Sequence, residues 1–201
     1  MRLGDNPALV KAIESGNKVI PIYIWDEKDS DLHTGSAGKW WLHQSLDRLS
    51  NRIEELGNKL VLRKGNPKPI IEEFVSQNNI SKIFMNRRFE PQIIERDEDI
   101  LSQIDHEITN GNLLFDPEDI RTKQDKQYTV FTPFWRNCKM QTEPHEPLAI
   151  PSEIPAPDKF PESLSLDEMG LLPKINWYET FEKKWRPGEE EANRILVHFL
   201  K

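Results

Sequence analysis

Short β-branched runs alternate with amphipathic repeats through the first 115 residues or so, and this alternation constrains the fold most. The runs 18–26 (KVIPIYIWD), 59–63 (KLVLR) and 82–85 (KIFM) have the length and apolar content of strands buried in a parallel sheet. The intervening segments have helical periodicity. Segment 7–15 follows the capping candidates Asp5 and Asn6, starts on Pro7 and stops at Gly16. Segment 36–56 places Leu42, Leu46, Leu49, Ile53 and Leu56 on one face and ends at Gly57. Segment 67–77 repeats the pattern with Ile70, Ile71, Phe74 and Val75. Segment 91–108 does so with Ile93, Ile94, Ile100, Leu101 and Ile104. Strands alternating with helices predict an α/β fold with a Rossmann-like, doubly wound parallel sheet.

The order of elements adds a second constraint. The chain opens on a helix cap and a helix, with no strand in front, whereas the first strand of a doubly wound sheet is normally central. Either the strand order is unusual or the chain starts inside a fold whose first strand is missing, and the expectation is a sheet of four visible strands with that first strand absent. Beyond Asp116 the periodicity fades into a polar loop at 121–127 and an aromatic-rich stretch at 128–135. Pro144, Pro147, Pro151, Pro155, Pro157 and Pro161 then crowd into eighteen residues, as in a linker wrapping between units. Helical patterning returns at 187–200, where Ala192, Ile195, Leu196, Phe199 and Leu200 form one apolar stripe that wants a partner surface. The expected organisation is an α/β domain at 1–130, an aromatic and Pro-rich linker at 131–165, and a short helical remnant at 166–201.

Composition excludes several classes. Lys and Arg number 27 against 34 Asp and Glu, a net charge of −7, which makes a poor bulk attractor for nucleic acid. The longest near-continuous apolar run, 19–25, is far short of the ~20 residues that span a bilayer. The N-terminus carries no apolar core of a secretory signal. Cys138 is the single cysteine, so no intrachain disulfide forms. The expectation is a cytoplasmic protein with no membrane partner.

No catalytic or metal constellation stands out. The stretch 35–40 (GSAGKW) lacks the glycine spacing of a triphosphate loop and the hydroxyl residue after its lysine. It reads as a loop entering a helix whose first turn holds Lys39. His33, His43, His106, His145 and His198 are scattered without metal-ligand spacing. The stretch 86–91 (NRRFEP) directly follows a strand and precedes a helix, at the edge where open α/β sheets bind ligands. Two arginines, an amide and a carboxylate there suit a heteroaromatic or anionic ligand. A helix N-terminus with surface arginines explains them equally well.

Taken in order, these segments resemble the N-terminal α/β domain of the DNA photolyase/cryptochrome family. The matching stretches are 2–9 (RLGDNPAL), 19–26 (VIPIYIWD), 35–46 (GSAGKWWLHQSL) and 60–65 (LVLRKG). After them come 86–91 (NRRFEP), 113–117 (LLFDP) and 130–135 (VFTPFW), and the stretches 171–177 and 185–189 resemble the entry to the family's helical domain. The resemblance implies a domain that holds an antenna chromophore of folate, flavin or deazaflavin type. It points to His33, Lys39, Asn86 and Glu90 as cofactor-binding residues, with no catalytic and no metal-binding residue. It further implies that flavin adenine dinucleotide (FAD) and the DNA groove belong to a helical domain beyond Lys201, so that DNA is a partner through that domain alone. The chain alone is expected to be inactive, with its C-terminal helix as an association surface. Light-driven repair of pyrimidine dimers is the leading function for the complete protein. A cryptochrome-like photosensor fragment and a truncated remnant without activity are the alternatives.

Overall fold

The computed structural model describes residues 2–27, 34–140 and 144–201. Helix α1 (Pro7–Glu14) leads into β1 (Ile22–Trp25), α2 (Ser36–Glu55), β2 (Val61–Lys64), α3 (Pro67–Gln77), β3 (Ile83–Asn86), α4 (Pro91–Leu101) and β4 (His106–Thr109). Side-chain amides start two of the helices. Asn6 Oδ1 accepts from Leu9 N–H at 3.3 Å, and Asn66 Oδ1 accepts from Lys68 N–H at 3.1 Å. Pro7, Pro67 and Pro91 occupy first turns, where a missing N–H costs nothing.

All strand pairing is parallel, but the strands form two half-sheets. β1 pairs with β2 from Ile22↔Val61 to Trp25↔Lys64, and β3 pairs with β4 from Ile83↔His106 to Asn86↔Thr109. β1 and β3 do not pair.

One helix is shorter than its periodicity predicts. The 91–108 repeat stops at Leu101, and its last part is β4. Ile104 and Ile108 keep a helical spacing of four, but 106–109 (HEIT) also alternates polar and β-branched residues, which suits a strand beside β3. The aromatic-rich stretch forms a helix the pattern did not reveal, α5 (Phe131–Met140), on which Cys138 is buried.

The Pro-rich stretch is packed along much of its length. Ile154 N–H donates to Leu56 O at 2.9 Å, Val19 N–H to Pro155 O at 2.8 Å, and Leu164 N–H to Leu62 O at 3.0 Å. Asn58, itself buried, directs its amide to the carbonyls of Val19, Ile154 and Pro155. The segment and its continuation, residues 148–171, thus lie as a strap along β2 and the end of α2. It inserts Ile154, Met169 and Leu171 among Leu3, Trp25, Leu46, Ile53, Leu60 and Leu62 to complete the largest apolar cluster. Proline suits this role because an extended strap needs few donors of its own.

Two short helices follow, α6 (Glu179–Lys184) and α7 (Glu189–Phe199). Tyr178 and Phe181 lie against the buried Trp40 of α2, with ring centroids 6.4 and 5.9 Å apart. The Glu189 carboxylate at the start of α7 accepts from Leu3 N–H at 2.7 Å and Gly4 N–H at 2.8 Å. Beyond that anchor Ile195, Leu196, Phe199 and Leu200 are exposed. Among the described residues no helix is long and apolar enough to cross a membrane.

Candidate functional site

The carboxyl ends of β1 and β2 open onto a cavity of about 580 Å³ lined by Trp25, Asp26, Glu27, Lys64, Asn66, Lys68 and neighbouring residues. Sheet geometry places these side chains. Trp25 and Lys64 are the last residues of paired strands, so the chain leaves the sheet beside both. Lys39, in the first turns of α2, sends Nζ to 3.6 Å from Glu27 Oε1, and Lys64 Nζ reaches the same oxygen at 3.6 Å. Lys39 Nζ also lies 5.9 Å from the centroid of the Trp25 ring. Lys64 is steadied by donating to Met169 O at 3.1 Å, so the strap helps to aim it. At the far wall Lys68 Nζ donates to both carboxylate oxygens of Asp99, at 2.7 and 2.8 Å.

Lys64 first, and Lys39 second, hold the Glu27 carboxyl below the ordinary carboxylate range. A carboxylate held low is a weak base, so Glu27 is suited to being a counter-ion rather than a proton acceptor. An incoming anionic group could replace it between the two ammonium groups. The indole of Trp25 adds a flat apolar wall. The arrangement suits binding of an aromatic, partly anionic molecule, and its volume falls in the usual range for small-ligand pockets.

Asn86 and Glu90 lie on the other half-sheet and do not line this cavity. The Asn86 amide spans three elements. Its Nδ2 donates to Asn6 Oδ1 at 2.8 Å, and its Oδ1 accepts from Thr109 Oγ1 at 2.8 Å and from Ala8 N–H at 3.3 Å. Gly111 sits so close that a Cβ there would collide with this amide. Glu90 is exposed at the start of α4, where its carboxylate accepts only from Phe89 N–H, at 3.2 Å, among the described contacts. The arginines between them are engaged as well. Arg88 forms a bidentate pair with the nearly buried Asp97, and Arg87 reaches Glu118 at 3.0 Å. His33 lies outside the described residues.

Lys39 does not line the cavity itself, but of the sequence-predicted residues it is the one that reaches two of the lining side chains, Glu27 and Trp25. Glu27, Lys64 and Lys68 were not singled out from the sequence. The available signal was positional: each follows or ends a strand at the edge where α/β sheets bind ligands. Among the described residues no group of three or more His, Cys, Asp or Glu could hold a metal ion.

The fold is a parallel α/β domain with a cavity at the carboxyl edge of its sheet. Comparison with known proteins gives the family. The DNA photolyase family model matches residues 1–157, and the chain belongs to that family. A deoxyribodipyrimidine photo-lyase of Agrobacterium fabrum is 37% identical over 206 residues, covering 100% of this chain and 43% of that protein. Cryptochrome-2 of Arabidopsis thaliana is 28% identical, with 100% and 34% covered. A crystal structure of a class III photolyase from Agrobacterium tumefaciens matches with a TM-score of 0.88 and 35% identity, over 98% of this chain and 42% of that one. The chain therefore spans less than half the length of these relatives and corresponds to the N-terminal photolyase domain. Members of the photolyase and cryptochrome families bind flavin and antenna chromophores.

Proposed function

We propose that this chain is the antenna-holding region of a photolyase-type protein, with a folate, flavin or deazaflavin chromophore seated in the cavity at the ends of β1 and β2. The observation that carries this reading is the Lys39–Glu27–Lys64 arrangement against the Trp25 ring. It offers an aromatic wall and two ammonium groups that a ligand's anionic end can share. Lys39 contacts the chromophore in this reading. Asn86 acts at a distance by holding the start of α1 to β3, and Glu90 contributes least. His33 belongs to the segment that follows Glu27 in sequence and stays within the proposal on that ground.

The experiment is a fluorescence and absorbance titration of flavin mononucleotide, a 5-deazaflavin and a reduced folate against the wild type, Lys39→Ala and Glu90→Ala. One of the three ligands should bind, and Lys39→Ala should weaken it by about tenfold, the scale of one lost charge-assisted contact. Equal affinity in Lys39→Ala and the wild type overturns the site.

For the longer protein, the reading is light-driven repair of pyrimidine dimers in DNA, with FAD and the DNA surface supplied by the part beyond these 201 residues. The 201-residue chain alone is expected to show no light-dependent repair. Stoichiometric FAD retention with blue-light repair by this chain would refute that division. The likeness to cryptochrome-2 favours a second reading, a photosensor of the same architecture. A dimer-repair assay on the chain joined to a flavin-binding half separates the two.

A further inference from the structure

Trp25 and Lys64 are register partners at the ends of β1 and β2, so an indole and an ammonium group leave the sheet side by side at the cavity. Trp25 is only 8% exposed, and its Nε1–H makes no hydrogen bond. A buried indole N–H ordinarily finds an acceptor, so a donor left unmade on a cavity wall marks a place for a ligand atom. The effect of this donor shows where it faces. Behind Lys64 and Lys39, the indole also helps to hold the Glu27 carboxyl low, so its N–H looks toward the space that this carboxylate occupies.

Glu27 fills that space by charge rather than by fit. Its Oε1 lies 3.6 Å from both Lys39 Nζ and Lys64 Nζ, beyond the length of a hydrogen bond. Across the same cavity Lys68 meets both oxygens of Asp99 at 2.7 and 2.8 Å, so close carboxylate pairing is available there and absent at Glu27. The three donors come from three elements: β1, β2 and α2. A carboxylate offers two oxygens in one plane and a single charge. A phosphate monoester offers three terminal oxygens and a charge of about −1.5 to −2, which matches three donors and two ammonium groups. Lys64 spends one N–H on Met169 O and keeps two for a ligand.

We propose that the Trp25 indole N–H, Lys39 and Lys64 form a seat for a phosphate group, and that Glu27 is a built-in competitor which the phosphate displaces. The ligand is a phosphomonoester carried on an aromatic ring system, with the phosphate at the Glu27 position and the ring in the rest of the cavity. Trp25 is then a specificity-determining residue as well as an apolar wall. The seat ranks a flavin nucleotide above a folate, whose anionic ends are planar carboxylates. For the ring the inference rests on the chromophore reading above, whereas for the phosphate it rests on these three donors alone.

The test titrates flavin mononucleotide, riboflavin and inorganic phosphate against the 201-residue chain at matched ionic strength, with thermal melting as the readout for phosphate alone. Flavin mononucleotide should bind about tenfold or more tighter than riboflavin, the scale of charge-assisted contacts. Inorganic phosphate should raise the melting midpoint by about 3–6 °C at ten times its dissociation constant. Trp25→Phe keeps an aromatic wall and removes the N–H, and it should cut the preference for the nucleotide over riboflavin by about fivefold. Glu27→Gln removes the competing charge and should tighten both flavin mononucleotide and phosphate by about three- to tenfold, a readout that stands even where Trp25→Phe fails to fold. Equal binding of flavin mononucleotide and riboflavin overturns the phosphate seat and leaves the chromophore reading intact. Unchanged or weaker phosphate binding in Glu27→Gln also overturns it. Phosphate binding that shows the Glu27→Gln gain, with none of the chromophores bound, upholds the seat and refutes the chromophore reading.

Discussion

The two half-sheets have ladders of equal length and the same parallel sense, yet only one of them has a finished core. All nine buried residues of the main cluster come from the β1–β2 half, helix α2, the N-terminal turn and the strap. β3 contributes none, and on β4 burial merely alternates, with Ile108 38% exposed. The strand sequences do not explain this, because Ile83-Phe84-Met85 is as apolar as Val61-Leu62. The covering does. Burial is decided by what lies over a strand, and the strap lies over one half only.

If the asymmetry is energetic as well as geometric, equivalent truncations should give unequal losses. Leu46→Ala, in the finished half, should cost about 3–5 kcal/mol in denaturant unfolding, the range for a fully buried leucine. Ile108→Ala should cost less than about 1 kcal/mol, as at a partly exposed site. Equal losses would mean that the halves are equally consolidated.

Native-state hydrogen exchange asks the same question without mutation. Amides paired between β1 and β2 should exchange only through global opening. Those paired between β3 and β4 should open at a free energy lower by about 2–3 kcal/mol, as in a separate local unit. A single opening energy for both ladders would join them into one cooperative sheet.

Asn86 is the main polar bracket of the weaker half. Asn86→Ala removes the acceptor of Thr109 Oγ1 and Ala8 N–H together and should destabilise by about 1–3 kcal/mol. The loss should appear as faster exchange in β3 and β4 and leave β1–β2 nearly unchanged.

The smallest effects concern titration. Burial pushes the Tyr23 phenol from 10.0 up to about 12. The unfolded chain then releases this proton first, so the contribution is whole below the ordinary tyrosine value and is lost as pH rises toward about 12. Phenolate absorbance of the wild type against Tyr23→Phe should show this late-titrating group. At the cavity, Lys64→Met should raise the Glu27 carboxyl more than Lys39→Met, because Lys64 is the larger cause of its depression. Carboxyl NMR titration of the two variants checks the order.

Much of this organisation was legible in the residues. The alternation of short apolar runs with amphipathic repeats already implied parallel pairing, because each crossover helix returns the chain in the same direction. β4 was hidden because Ile104 and Ile108 satisfy a helical period as well as a strand's, and pairing with β3 decides between them. The strap was hidden because Ile154, Met169 and Leu171 are too sparse to show any period, although each is almost wholly buried. At the candidate site, Lys39 was pointed to by the family resemblance, whereas its place at a helix start read only as a loop entering a helix. The pairing of Glu27 with Lys64 joins residues far apart in sequence, and no local pattern announces it. For Asn86 the local pattern showed the right edge of the sheet but not the neighbours Asn6 and Thr109 that occupy its amide.

The carboxylate of Glu189 on the main chain of Leu3 and Gly4 has a consequence for synthesis on the ribosome. The contact closes across 185 and 186 residues, and Met169 and Leu171 enter the core almost as late. Contacts this distant in sequence carry a loop-closure cost before they bring any gain, which slows folding. A nascent chain that has exposed β1, α2 and β2 still lacks the residues that seal them, and it must wait in that state until α7 has emerged. At about 5–20 residues per second, the interval between completing β2 and delivering Glu189 lasts many seconds, a window in which chaperones would meet the chain half-built.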